Sequence, residues 1–188
     1  MSRGLGDVYK RQITNGSQQA LDILSAVLID EGDKILIEKP SYLAALQVFH
    51  LYNPKINSVT LNHHGIDLQE LTAYLEQKPK FFYAIPTFQN PTGLTYDNET
   101  RIALANLLKK TNTIFIEDNP YGDLRFNDET FLPIYPLLKD QTILLGTFSK
   151  TVSPGMRIGW IACSNSYLKQ KLLALSLIHI SEPTRHSL

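Results

Sequence analysis

The sequence predicts an α/β fold: a three-layer α/β/α sandwich around a mostly parallel seven-stranded sheet with one antiparallel strand. Three observations lead there. Short runs of branched apolar residues alternate with stretches whose leucines recur at helical spacing, the pattern of a parallel sheet covered on both faces. Only a short Pro-Gly loop joins the last two strands, too little for a parallel crossover, so that pair is expected to run antiparallel. Polar residues gather just after the strands, where open sheets of this kind collect their ligands.

In chain order, Ile13-Thr14 forms a strand entering a turn at Asn15-Gly16, and Ala20, Leu21, Leu24, Val27 and Leu28 then mark a helix that Ser17 is placed to cap. Lys34 to Ile37 is a strand ended by Pro40, after which Ser41-Tyr42 opens a helix. Ile56 to Leu61 is the third strand, and Asp67 caps a helix carrying Leu68, Leu71 and Leu75. Phe81 to Ile85 is stopped by Pro86. Past the turn at Asn90-Pro91-Thr92-Gly93, Asp97 starts a helix through Leu104, Leu107 and Leu108. Thr113 to Ile116, Thr142 to Gly146 and Ile158 to Cys163 complete the sheet, followed by a helix with Leu168, Leu172 and Leu175. No internal repeat, low-complexity tract or linker interrupts this order.

The 188 residues suit one domain. Their 18 basic and 18 acidic residues leave no cationic excess, which argues against a general nucleic-acid or membrane-surface partner. No apolar run is long enough to span a bilayer. Cys163, the only cysteine, has no internal disulfide partner and lies in an apolar run as a small buried residue, so a cytoplasmic location is expected. Residues 1–12 and 177–188 resemble translated sequencing-library adapter and are set aside, leaving 13–176 as the domain. His179 and His186 are scattered, the adjacent His63 and His64 read as surface loop, and no metal is expected.

The chemistry centres on Gly146-Thr147-Phe148-Ser149-Lys150. A lysine at a strand end, partly desolvated and near other cations, can exist as a free amine and attack a carbonyl to form a Schiff base. Arg157 follows a Pro-Gly turn, and its planar guanidinium suits two oxygens of a phosphate. Together they suggest an aldehyde bearing a phosphate, although each residue alone also reads as a solvated surface charge. Gly16-Ser17-Gln18 opens a helix and offers free backbone donors and a hydroxyl to an anion, or is a simple cap. Tyr42 can lie against a planar ring or merely pack, and Asn90 can donate to a ring oxygen or merely turn the chain. Asp118 leaves a buried strand and must be paired, whether with a protonated ring nitrogen, a helix end or an arginine; Tyr121 can reach the same ring.

Taken together, these stretches resemble the pyridoxal-phosphate-dependent aminotransferases of class I and II, the fold-type-I family. The likeness runs from about Ile13 to Ser176. It rests on Gly16-Ser17-Gln18-Gln19-Ala20-Leu21, Asn90-Pro91-Thr92-Gly93, Glu117-Asp118-Asn119-Pro120-Tyr121-Gly122-Asp123-Leu124-Arg125-Phe126, and Ser149-Lys150 with Pro154-Gly155-Met156-Arg157-Ile158-Gly159-Trp160. The resemblance implies that Lys150 holds pyridoxal 5'-phosphate as a Schiff base and shuttles the substrate proton. It implies that Asp118 keeps the pyridine nitrogen protonated, that Asn90 and Tyr121 hydrogen-bond the ring oxygen, and that Tyr42 stacks on the ring. Ser17, Gln18, Thr147, Ser149 and Arg157 are then the phosphate ligands. The wording Phe88-Gln89-Asn90-Pro91-Thr92-Gly93 and the run to Arg125-Phe126 look most like the 2-aminoadipate aminotransferases, which act on aminoadipate, leucine-like, aromatic and glutamate substrates.

The resemblance also implies amino acid and 2-oxo acid substrates and a homodimeric parent. Family members carry an N-terminal segment that shapes the substrate pocket and a small domain with an arginine for the substrate carboxylate. These residues hold neither, so the chain is expected to be the large-domain core and inactive alone. Two alternatives remain: the aminotransferase-like effector domain of a GntR/MocR-type transcription regulator, disfavoured by the lack of a basic reader helix, and a dinucleotide-binding domain, disfavoured because no Gly-x-Gly-x-x-Gly opens the first helix.

Overall fold

A computed structural model describes residues 11–124 and 131–178. Among the described residues eight strands form one sheet, flanked by five α-helices. The strands are β1 (Arg11–Thr14), β2 (Lys34–Lys39), β3 (Lys55–Asn62), β4 (Gly65–Ile66), β5 (Phe81–Ala84), β6 (Ile114–Asp118), β7 (Thr142–Thr147) and β8 (Gly159–Cys163). The helices are α1 (Gly16–Leu28), α2 (Leu43–His50), α3 (Leu68–Leu75), α4 (Asn98–Leu108) and α5 (Ser166–Ile178). The sheet order is β1-β8-β7-β6-β5-β2-β3-β4.

All seven expected strands are present, and β8 runs antiparallel to both β7 and β1. The sequence reading missed β4, a two-residue strand antiparallel to β3 and too short to show a period. Because β8 reverses direction, β1 points the same way as β2, β5, β6 and β7, so their carboxyl ends share one edge of the sheet. Strand β6 extends through Glu117 and Asp118, beyond its expected end at Ile116, which makes Asp118 the last strand residue. The elements also reach Arg11 and Ile178, two residues outside the expected 13–176.

Strand side chains alternate between two cores because the pleat has a period of two. Ile35, Ile37, Phe81, Tyr83, Ile116 and Leu145 bury against α1, α2 and α5, while Leu36, Phe82, Ala84 and Phe115 bury against α3 and α4. Asp67 caps α3 by accepting from the Gln69 and Glu70 N–H groups at 2.9 Å, and Asp97 caps α4 through the Thr100 N–H at 2.7 Å, both as expected. Cys163 is buried and free. Among the described residues no helix is long and apolar enough to cross a membrane.

At the edge that receives β8, Gly146 stands directly opposite Trp160, and a Cβ on Gly146 would overlap the indole. Gly146→Ala is therefore expected to destabilise the fold by about 1–3 kcal/mol through overpacking. Urea denaturation followed by the fluorescence of Trp160, the single tryptophan, measures it.

Candidate active site

The shared carboxyl edge holds a cavity of about 340 Å³. Helix α1 begins there, right after β1. Its N-cap is Asn15, whose side chain makes no capping bond; Ser17, expected as the cap, lies inside the first turn. The first-turn N–H groups therefore have no side-chain cap and no acidic neighbour in that turn, the condition under which a helix start attracts an anion. Ser17 and Gln18 line the cavity here.

Arg157 reaches the same point from the turn before β8. Its backbone is left-handed at φ 49°, and its guanidinium lies so near Gly16 that a Cβ there would sit 3.0 Å from the nearer terminal nitrogen. Gly16 has φ 76°, and only glycine meets both demands without strain. Thr147 and Ser149 close this end of the cavity, their hydroxyls 3.1 Å apart, with the Thr147 oxygen accepting the Ser149 N–H at 3.2 Å. Donors from α1, the end of β7 and the turn before β8 thus surround one anion-sized region.

The far end is built on Asp118, which is buried at 2% exposure. Its Oδ2 accepts from the Tyr83 hydroxyl at 2.7 Å, whereas its Oδ1 is buried with no hydrogen-bond partner among the described residues. Burial lifts the Asp118 carboxyl to about 6, partly offset by the Tyr83 bond. Of the expected partners within the chain, a helix end or an arginine, Oδ2 has found neither. Burial, and then the Asp118 charge, also raise the Tyr42 phenol. Tyr42, Asn90, Tyr121 and Lys150 line the walls above, with the Lys150 Nζ 5.9 Å from the Tyr121 ring centroid.

All ten residues singled out in the sequence therefore border one cavity, drawn from the ends of β1, β2, β5, β6 and β7 and the start of β8. Lys150, expected to be partly desolvated, is an exposed residue among the described ones. Arg125 and Phe126 lie outside the described residues, as do His179 and His186. The sequence reading missed Ile85 and Pro120 in the lining, and Tyr83 beneath it. A tyrosine within a wholly apolar strand was the available signal for Tyr83, since a buried hydroxyl needs a partner.

A second buried carboxylate lies behind the cavity. Glu38, 1% exposed, accepts from the Tyr96 hydroxyl at 2.6 Å and from Gln89 Nε2 at 3.1 Å. Burial pushes it up to about 7, against these two hydrogen bonds and one from the Ile85 backbone, with a further upward push from Asp118. Glu117 is held differently: it accepts the N–H groups of Ile134 and Tyr135 and, although burial raises it, feels the buried Arg101.

A family model described as aminotransferase class I and II matches residues 8–187. The chain belongs to this family. The aminotransferase match covers nearly the whole sequence, and its relatives agree. The chain is 40% identical over 178 residues to aromatic-amino-acid aminotransferase 1 of Thermococcus litoralis, covering 91% of this chain and 43% of that protein. A solved structure of LysN, the alpha-aminoadipate aminotransferase of Thermus thermophilus complexed with N-(5'-phosphopyridoxyl)-L-leucine, superposes with a TM-score of 0.86 at 35% identity, covering 93% of this chain and 46% of that one. The uncharacterized HTH-type transcriptional regulator YisV of Bacillus subtilis is 38% identical over 152 residues, covering 80% of this chain and 31% of that protein. The chain spans less than half the length of these relatives.

The buried carboxylates set a pH dependence. Glu38 titrates near 7 when folded and near 4.5 when unfolded, so between those values the unfolded chain has lost a proton that the folded chain keeps. Its contribution is fully present below about pH 4.5 and is lost as pH rises through about 7; Asp118 acts likewise between 3.8 and about 6. Glu38→Gln is expected to remove on the order of 3 kcal/mol of that fall. Chemical denaturation of both proteins at a series of pH values from 4 to 8 measures the difference.

Proposed function

We propose that this chain is the cofactor-binding core of an aminotransferase that moves an amino group between an amino acid and a 2-oxo acid, with pyridoxal 5'-phosphate held on Lys150. One observation carries the proposal: an anion-binding end and a buried carboxylate with a free oxygen share a cavity whose mouth bears a lysine. Bound there, the cofactor supplies an aldehyde carbon and a ring that withdraws electrons from the substrate.

The residues divide the work by position. Lys150 Nζ would condense with the aldehyde, releasing water, and, once the substrate amine displaced it, would be the base free to carry the proton between the substrate Cα and the cofactor. Asp118 Oδ1 would accept a hydrogen bond from a protonated ring nitrogen, an adjacent cation favouring the carboxylate that burial alone disfavours. Tyr42 covers the ring face, and Asn90 and Tyr121 donate to the ring oxygen. Ser17, Gln18, Thr147, Ser149 and Arg157 grip the dianion together with the α1 N–H groups. The donor belongs to the range of aminoadipate, leucine-like, aromatic and glutamate substrates, and the full-length parent works as a homodimer in the cytoplasm.

A second reading is an aminotransferase-like effector domain of a GntR/MocR-type regulator, favoured by the likeness to YisV. The genomic DNA flanking the coding region separates the two, because the regulator reading requires a DNA-reading helix in the same frame. Neither reading gives these residues a nucleic-acid or membrane contact.

Mixing the chain with pyridoxal phosphate, reducing with borohydride and mapping the labelled peptide should place the label on Lys150. Label on another lysine, or none in folded protein, removes the assignment. Arg157→Ala is expected to raise the Kd for pyridoxal phosphate by roughly 10- to 100-fold, the equivalent of a lost charge-assisted hydrogen bond. Absorbance titration reads that shift.

A further inference from the structure

Gln89 is 1% exposed, yet it sits in the loop after β5 rather than in a strand or helix. Every polar position of its amide is engaged. Nε2 donates to Glu38 Oε2 at 3.1 Å and to the Pro40 carbonyl at 2.8 Å. Oε1 accepts from the Thr92 N–H at 3.0 Å and from the Thr92 hydroxyl at 2.6 Å. The amide therefore ties two loops that the chain keeps apart: one carries Pro40 and then Tyr42, the other carries Asn90 beside Gln89 itself. Glu38 anchors the tie from below, its other oxygen held by Tyr96 at the far end of the second loop.

Tyr42 and Asn90 both line the cavity. We propose that Gln89, seated on Glu38, is a positioning residue that fixes the separation of the Tyr42 and Asn90 walls, and thereby the grip on a planar ring between them. The inference rests on the proposed cofactor reading and goes one step deeper. Only an amide serves here. A glutamate would set a second carboxylate against Glu38, and a methionine of similar length has no donor for Glu38 or Pro40 and no acceptor for Thr92. A polar group buried this fully contributes order only if all its partners are kept.

The test compares wild type, Gln89→Met and Thr92→Val in the full chain. Pyridoxal phosphate is titrated into each and followed by the visible absorption of the bound cofactor, with circular dichroism and thermal melting alongside. Gln89→Met is expected to fold, to bind with a Kd at least tenfold higher, and to shift the absorption maximum, while saturating cofactor still labels Lys150 after borohydride. Thr92→Val, at an exposed position, removes one of the two bonds to Oε1 and is expected to raise the Kd about two- to fivefold; it decides the matter should Gln89→Met not fold. A variant whose melting temperature falls while Kd and spectrum match wild type within twofold makes Gln89 a packing residue and overturns the proposal. Absence of Lys150 label in wild type is a different failure: it removes the functional reading, and this one with it.

Discussion

The site depends on a carboxylate placed where a carboxylate is costly. Asp118 ends a strand within the sheet, one oxygen held by Tyr83 and the other with no partner among the described residues. Such a group is tolerated either by keeping its proton or by meeting a cation, and burial, which raises the Asp118 carboxyl to about 6, favours the first only below that pH. A protonated ring nitrogen would provide the second. The rest of the cavity then follows from the sheet. Parallel strands deliver their carboxyl ends to one edge, β8 reverses to bring Arg157 to that same edge, and helix α1 starts there with uncapped N–H groups.

Much of this was legible in the residues. Apolar runs gave the strands, and the short loop before Ile158 gave the reversal at β8, because those features arise from local periodicity and chain length. The ten expected residues that border the cavity stood out because each lies at a strand end or in the loop beside one, a position that sequence order reveals. Strand β4 was hidden by its two-residue length. The start of α1 was misread at Ser17 because a hydroxyl near a helix start resembles a cap whether or not it bonds one.

What sequence order conceals is side-chain pairing across the sheet. Tyr83 and Asp118 lie 35 positions apart and Glu38 and Tyr96 lie 58 apart, so neither bond has a local signature. Gln89 had one, as a residue of the motif around Asn90, but its four bonds join loops that only the sheet brings together. The exposure of Lys150 is of the same kind: nearness to a strand end says nothing about which further surface covers a residue. The spans of its relatives, more than twice as long, are where such a cover is to be sought.

Gly16 and Arg157 meet at the seam where the earliest described strand joins the latest. Among the described residues β1 is four residues long and pairs with β8 alone, so this strand joins the sheet by a single short ladder. A ligand whose phosphate sat at that seam would act as a non-covalent staple between the first and the last strand of the described residues. Saturating the cavity and keeping the sheet margin zipped would then be one thermodynamic event.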